Sequence, residues 1–571
     1  MSDGAATTMH AREGERPASA DLRHGSRTGV ELHAGPAASS ALVRDYLDAR
    51  PALAAFYAAH PTDADAYRRK AEAVRGRFSA EDRRDLRSVL RPTNDAAGGK
   101  LDRIFAGDGV MVTTGQQAGL FGGPMYTVNK ILSAIRLAET IEEVLGIPCM
   151  AVFWVASDDH DWVEVNHTVI LDADHHVHRI TLDEAPDAAD VPMSERVLGT
   201  GIAGALAAFI DALPKSEFAA PIEELLRQSY REGSTMGRAF GDLLYGLFRD
   251  HELALIDPAS PVFKAAARPI LMHELHNAEA HARLLARHSE RLVDAGYHAQ
   301  VVVAEDAANV FYHDALGRER IMREDGGWAL RRTKRLIKND ELFAMLDAEP
   351  ERFSPNVFLR PVVESAVLPT IAYVGGPAEI AYFAQIGCLF HAHDIEPPIV
   401  VPRFGVTAVE GKVRKVLDRF DLTITDFRAP FHELVTRVVR DGLPDDVISS
   451  LAALRETVHR EFARLANRTE SIDPTLRGWL TGQRNTLLSQ LEGVEKKITS
   501  HRRKRSEVEI EQLRKAAANL QPEGTPQERS MNALPLVARY GPGILADMAA
   551  AMQYSLSPSA PAGWQGVRCD D

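Results

Sequence analysis

The chain has 571 residues, more than one hydrophobic core ordinarily serves, so two or three domains are expected. Its 45% hydrophobic and 26% charged residues are ordinary for a globular protein. A net charge of -14 argues against a general role on nucleic acid or on an anionic membrane surface, while leaving room for a local basic pocket that takes a phosphate or carboxylate.

Residues 1–40 are rich in Ala, Gly, Ser, Arg and His without hydrophobic period, which reads as a disordered leader. No signal-like apolar segment opens the chain. No apolar run approaches the roughly 20 residues that span a bilayer, and the expected location is the cytoplasm. Cys149, Cys388 and Cys569 lie far apart in sequence, so neither a CxxC pair nor a disulfide framework is suggested, and the compartment reads as reducing. Cys149, inside an apolar run, reads as a small core residue.

From residue 41 to 91 the pattern is helical, with Leu42, Tyr46, Leu53 and Tyr57 among polar residues. Short apolar runs then predict strands over 110–114, 150–156, 253–256, 300–303, 370–374 and 399–401. Such runs between helices indicate a parallel sheet covered on both faces. Residues 166–192 alternate apolar and polar and predict a smaller antiparallel insert, in which the histidines from His175 to His178 decorate an exposed strand. A helical insertion over 202–248 comes next.

After residue 427 the strands stop. One helical seam carries Val447, Leu451, Leu454, Val458, Phe462 and Leu465. A second carries Leu487, Leu491, Val494 and Ile498, and continues at His501, Arg505 and Val508. Steps of three and four residues broken at Asp473-Pro474 predict an antiparallel helical hairpin. Its apolar surface exceeds what one partner helix covers, which points to dimerisation.

The stretch "VMVTTGQQAGLFGGPMYTVNK", residues 110–130, has the grammar of strand, glycine-rich loop and helix, with Pro124 suited to a first helical turn. In open parallel sheets this edge is where ligands bind. Glycine backbone N–H groups and a helix N-terminus favour an anion, Lys130 adds a cation, and Gln116 and Gln117 suit a carboxylate, amide or hydroxyl. Thr114, Gly115, Gly122, Gly123 and Tyr126 complete this candidate binding set. Neither GxxxxGK[ST] nor GxGxxG is present; the bland alternative is a capped turn.

The next strand ends in Ser157, Asp158, Asp159, His160 and Asp161, with Asn166 just beyond. Consecutive residues seldom converge on one metal ion, so a polar pocket for an amine or a sugar is the stronger reading, with His160 as acid or base. Sequential strands are usually neighbours, which places this cluster beside Gln116 and Gln117. Further on, Gly375-Gly376-Pro377 repeats the strand–loop–helix grammar, and Glu379 falls in the first helical turn, where capping alone would also explain it. Asn356 and Arg360 lie among apolar residues, and Arg360 is a candidate anion clamp.

Taken in order, "TTGQQAGLFGGPMYTVNK", "FWVASDDHDWVEVNH", "FSPNVFLRPVVES", "YVGGPAEIAYFAQ" and "PEGTPQERSMNALPLVARYGP" resemble the bacillithiol biosynthesis cysteine-adding enzymes. The likeness runs from about residue 41 to the C-terminus. It implies an α/β fold: a Rossmann-like, nucleotidyltransferase-type parallel-sheet core over 41–426 with connective insertions at about 166–250 and 275–350. A helical coiled-coil dimerisation domain over 427–540 and a tail over 541–571 returning to the core would come after it. The implied reaction joins cysteine to glucosaminyl-malate, giving bacillithiol in the last step of its synthesis, in a cytoplasmic homodimer. ATP is the expected activator of the cysteine carboxylate, with no metal beyond nucleotide-bound Mg; the HIGH and KMSKS sequences of related synthetases are absent. In this reading the 115–123 loop and Lys130 bind phosphate or carboxylate. Gln116 and Gln117 orient cysteine or sugar, Asp159 and His160 hold and deprotonate the amine, and Asn356 and Arg360 grip the malate. Two rival readings are a metal-dependent hydrolase or deacetylase using Asp158, Asp159 and His160 as ligands, and a non-catalytic, nucleotide-sensing coiled-coil scaffold.

Overall fold

The computed structural model describes residues 22–25, 28–38, 40–78, 80–172, 174–183, 190–314, 316–558, 561, 563, 564 and 566–569. At its centre is a six-stranded sheet in the order Ile399–Pro402, Thr370–Gly375, Val110–Gln117, Cys149–Ala156, Leu253–Ile256 and Leu90–Pro92. The first five strands are parallel, and Leu90–Pro92 runs antiparallel at one edge. Val110–Gln117 and Cys149–Ala156 are buried over nearly their whole length, as continuous apolar runs require when helices cover both faces. The chain steps outward from Val110–Gln117 in one direction through Cys149–Ala156 and Leu253–Ile256, and later returns on its other side as Thr370–Gly375. The order therefore reverses at Val110–Gln117, the kind of switch point where α/β sheets open a crevice.

Helix Tyr126–Leu145 comes after the central strand, buries Ile131, Ile135 and Ile141, and ends at Gly146 in the left-handed region (φ 69°). His167–Leu171 and Val177–Thr181 form a two-stranded sheet. Helices Gly201–Ala212, Ala219–Ser229 and Met236–Leu247 fill the expected helical insertion.

Three expectations about this region are corrected. Residues 300–303 form no strand. Val302 is 89% exposed, and the backbone of Val301 is satisfied by the Gln385 side chain, which accepts from Val301 N at 3.0 Å and donates to Val301 O at 2.9 Å. The insertion expected to begin near residue 275 is crossed by one helix, Pro261–Asp294. Beyond that helix lies an antiparallel sheet in the order Leu336–Lys338, Gly327–Leu330, Gly317–Glu324, Ala307–Asp314 and Phe353–Pro355. Third, the expected leader is partly structured. Residues 1–21 lie outside the described residues, but Glu31–Pro36 is a strand between Leu22–Gly25 and Phe404–Val409, and Val30, Leu32 and Ala34 are buried. The period-two pattern of "VELHA" was the signal.

The chain divides into two compact units, one of residues 1–168, 179–408 and 532–571, the other of 169–178 and 409–531. The second unit starts before residue 427 because Val409, Val413, Leu417, Leu422 and Phe427 pack with Leu434, Val435, Val439, Leu513 and Leu520 in one cluster. It contains the long helices Asp445–Thr469 and Leu476–Arg505, linked by Arg455 donating to Glu495 at 3.0 Å. Leu454, Leu465, Leu487, Val494 and Val508 are exposed.

The first unit regains the chain at residue 532, not 541. Ser557 N donates to Thr62 O at 2.7 Å, Trp564 Nε1 to Ala49 O at 3.2 Å, and Arg568 N to Ala55 O at 2.9 Å. This return brings the sulfurs of Cys388 and Cys569, 181 residues apart, to bonding distance, with Cα atoms 5.6 Å apart. The disulfide contradicts the reading of three unrelated cysteines, because spacing in sequence does not report the tail's path. Cys149 is buried, and burial pushes its thiol pKa up, as a core residue requires. Among the described residues no helix is long and apolar enough to cross a membrane.

Candidate active site

Side chains alternate along a strand, so Gln116 and Gln117 at the end of Val110–Gln117 turn to opposite sides. Gln117 Nε2 donates to Asp159 Oδ2 at 2.6 Å and to Glu164 Oε2 at 2.8 Å. Gln116 faces Lys130, whose Nζ donates to Gln116 Oε1 at 3.0 Å and to Gly115 O at 2.8 Å; Gln116 Nε2 donates to Tyr126 Oη at 3.4 Å. The two glutamines thus divide the sheet's carboxyl edge into two groups. Just before them Gly115 is required: a Cβ there would lie 2.9 Å from Trp154 O on the neighbouring strand.

The first group gathers around Asp158, Asp159 and His160. Asp158 accepts from Lys264 Nζ with both oxygens, each at 2.9 Å. Burial alone would raise its pKa, but Lys264 and His313 hold it below the usual carboxylate value. Ser157 Oγ donates to Asp257. Asp159 Oδ1 accepts from His160 N at 2.7 Å and lies 3.7 Å from His160 Nδ1. That ring nitrogen is buried with no hydrogen-bond partner. Burial first, and Arg318 next, lower the pKa of His160, so the ring is neutral at pH 7 with an unclaimed nitrogen. Arg318 donates to Ser354 Oγ at 3.0 Å and to Pro355 O at 2.8 Å, and its Nη1 lies 3.9 Å from Asp159 Oδ1. His313 Nε2 meets the same serine hydroxyl at 2.7 Å, and burial lowers its pKa to about 3.

The second group lies where the strand order reverses. Lys130 is buried and paired with Glu379; burial lowers its pKa, and Glu379 opposes that. Glu379 also accepts from Gly376 N at 2.7 Å and from Tyr373 Oη, so it caps its helix and pairs with the lysine at once. Arg360 donates to Glu364 at 2.6 Å, Tyr382 Oη at 3.0 Å and Tyr373 Oη at 3.2 Å. Arg403, buried at the end of the edge strand, donates to Phe404 O at 3.0 Å.

Several expected roles are not what the side chains do. The 115–123 loop does not offer a row of free N–H groups: those of Gly119, Gly122 and Gly123 donate to Gln117 O, Gly119 O and Leu120 O. Asn532 Nδ2 donates to the carbonyls of Phe121 at 2.8 Å and Gly123 at 3.2 Å, locking the turn. Phe121 sits there at φ 51°, a left-handed conformation, and its ring packs on Phe209 and Tyr230. Thr114 Oγ1 donates to Val374 O at 2.8 Å and stitches two strands. Asp161 caps the short helix Trp162–Val165, and Asn166 Oδ1 meets His167 Nδ1 at 3.3 Å. Asn356 donates to Asn309 Oδ1 at 2.7 Å and accepts from the N–H groups of Phe358 and Leu359, so its amide is spent on structure. Arg360 is already neutralised by Glu364. Asp158, Asp159 and His160 do not converge as metal ligands, since Lys264 holds Asp158 and Gln117 holds Asp159.

Lys264, His313, Arg318, Tyr373, Tyr382, Arg403 and Asn532 were not singled out as site residues from sequence. Lys264 had a signal: "LALIDPASPVFK" repeats the strand–loop–helix grammar at the next strand. His313 and Arg318 had none, because they sit on the inserted sheet, whose return to the core no local pattern announces.

Comparison with known proteins places this chain in a family. The family model described as "Bacillithiol biosynthesis BshC, N-terminal Rossmann-like domain" matches residues 30–404, and that described as "Bacillithiol biosynthesis BshC, C-terminal coiled-coil domain" matches residues 406–555. The chain is 33% identical over 522 residues to "Putative cysteine ligase BshC" of Salinibacter ruber, covering 90% of this chain and 94% of that protein. It is 33% identical over 490 residues to the protein of that name from Solibacter usitatus, covering 85% and 90%. For the one from Heliobacterium modesticaldum the figures are 30% over 482 residues, 84% and 86%. The chain therefore belongs to the bacillithiol biosynthesis BshC family, as a Rossmann-like core followed by a coiled-coil domain.

Proposed function

We propose that this chain is a ligase that joins the carboxyl group of cysteine to the amine of glucosaminyl-malate, giving bacillithiol. The observation that carries the reading is His160: a neutral imidazole with an unclaimed, buried nitrogen, next to an aspartate fixed by Gln117 from the neighbouring strand end. Amide formation needs the amine neutral, so that its lone pair can attack the carbonyl carbon. As the C–N bond forms the nitrogen sheds a proton to His160, and the C–O bond to the group activating the cysteine carboxyl breaks, that group leaving with the oxygen; Asp159 stabilises the resulting imidazolium, and Gln117 holds Asp159. Arg318 is the cation on this side of the site whose hydrogen bonds go to neutral oxygens, and we assign it to a malate carboxylate in place of Asn356 and Arg360.

A free carboxylate is a poor electrophile, and ATP is the activator the condensation calls for. The residues first expected to hold its phosphates do not fit that role, because the N–H groups of Gly119, Gly122 and Gly123 are paired within the turn and Lys130 is paired with Glu379. No phosphate contact is assigned to them. The exposed apolar residues of the two long helices support pairing of two copies through the coiled coil. The reaction is tested by incubating the purified chain with cysteine, glucosaminyl-malate and ATP, then looking for bacillithiol by mass spectrometry and for AMP or ADP beside it. Absence of product under all nucleotide and metal conditions would overturn the reading.

A further inference from the structure

Away from the candidate active site, helix Pro261–Asp294 carries Glu274 and His281 seven residues apart, two turns along one face. His393 closes the C-terminal end of helix Pro377–Ala392 directly opposite them. One ligand atom from each of the three lies within 4.8 Å of the others, and all three residues are buried. Glu274 Oε2 meets His281 Nδ1 at 2.6 Å and His393 Nε2 at 3.2 Å. From this geometry we infer that Glu274, His281 and His393 bind a divalent transition-metal cation, zinc in the first instance, which ties the two helices together.

Two imidazoles and a carboxylate are a donor set that suits zinc. A tetrahedral ion with bonds of about 2.0–2.1 Å keeps its ligand atoms roughly 3.4 Å apart, so the observed separations need only small shifts to admit it. Charge points the same way. Among the described residues the ion-pair partners of Glu274, which is fully buried, are these two histidines. A divalent cation held among the three side chains would balance the charge of this buried carboxylate. Nε2 of His393 faces the carboxylate, and its other ring nitrogen, Nδ1, is buried without a hydrogen-bond partner.

The carboxylate is also held as a metal ligand is commonly held. Its other oxygen, Oε1, accepts from Asn309 Nδ2 at 2.8 Å and Asn309 N at 3.3 Å, which aims Oε2 at the histidines. The exposed His273 stands beside the cluster, its ring 4.9 Å from that of His393 and its Nε2 3.1 Å from Ala392 O. His273, or a water, would complete four-coordination. The two helices also carry Lys264 and Glu379 of the candidate active site, so the ion would brace elements that position both groups.

Elemental analysis of the full chain, purified without a histidine tag or chelator, is expected to show about one zinc per chain. Cobalt(II) added to metal-stripped protein is expected to give the intense visible absorption of a tetrahedral site. Glu274→Gln keeps the shape of the side chain and an acceptor for Asn309 but removes the anionic ligand; together with His281→Gln it is expected to cut retained zinc at least tenfold while circular dichroism stays that of the parent. Should Glu274→Gln not fold, Asn309→Ala, which leaves every ligand in place, is expected to weaken cobalt binding by about 10–100-fold. Wild-type chain that takes up neither zinc nor cobalt, or folded variants that hold as much as the parent, would overturn the inference.

Discussion

Two side chains on neighbouring strand ends carry the functional reading. Gln117 and His160 both act on Asp159, so each alone should matter and the two together should not multiply. Gln117→Ala and His160→Ala are each expected to cut bacillithiol formation by about a hundredfold, with little change in melting temperature. The double variant should be far less impaired than the product of the two losses; full multiplication would separate their roles. Product formation in the parent should also fall on the acid side of the ordinary histidine range, where His160 takes up a proton, and His160→Ala should lack that acid limb. His313 tests the electrostatics from the side of stability. Its folded pKa of about 3 lies below the ordinary 6.5, so between these values the unfolded chain binds a proton the folded chain does not. Stability should therefore decline as pH falls from 6.5 toward 3. His313→Gln should flatten that slope; an unchanged slope would remove His313 as its source. That the cluster at Asp158–Asp161 lies beside Gln117 was legible because successive parallel strands are usually neighbours; that Gln117 holds Asp159 was not. The spent amide of Asn356 and the neutralised Arg360 were not, since a sequence shows which groups are polar and not which partners claim them.

Among the elements, the strands over 110–114, 150–156, 253–256, 370–374 and 399–401 were readable because a strand buried on both faces is apolar throughout. The Val301–Val303 run imitates such a strand, and only Gln385, 84 residues away, shows why it is not one. The inserted antiparallel sheet went unread although "GRERIMRE" alternates buried and less buried positions, the period of a one-sided strand. The helical seams were readable from their spacing, and the structure sharpens which positions face outward: Leu487 and Val494 are exposed, whereas Leu491 and Ile498 are half-buried. Leu487→Asp with Val494→Asp is thus expected to turn a dimer into a folded monomer by light scattering, because charges in an apolar interface are costly to desolvate. A dimer that persists would move the interface off this face.

Over the whole molecule the chain returns to its starting unit, from residue 532 onward. The strand Glu31–Pro36 belongs to the first unit, not to a leader, and the tail from Asn532 both locks the glycine-rich turn and reaches Cys388 through Cys569. A disulfide closing so long a loop stabilises mainly by restricting the unfolded chain, on the order of 3–5 kcal/mol. Reduction is expected to lower the melting temperature of oxidised parent protein and to leave Cys569→Ser unaffected; equal shifts in both would place the redox effect elsewhere. The proposed reaction joins an amine to the carboxyl group of cysteine at the carboxyl edge of the core sheet, with His160 taking the proton. The most direct test is a mass-spectrometric assay of the parent chain and His160→Ala side by side, given cysteine, glucosaminyl-malate and ATP. Bacillithiol is expected from the parent, with a loss of about a hundredfold in the folded variant; no product from the parent under any condition, or equal rates from both, would overturn the proposed reaction.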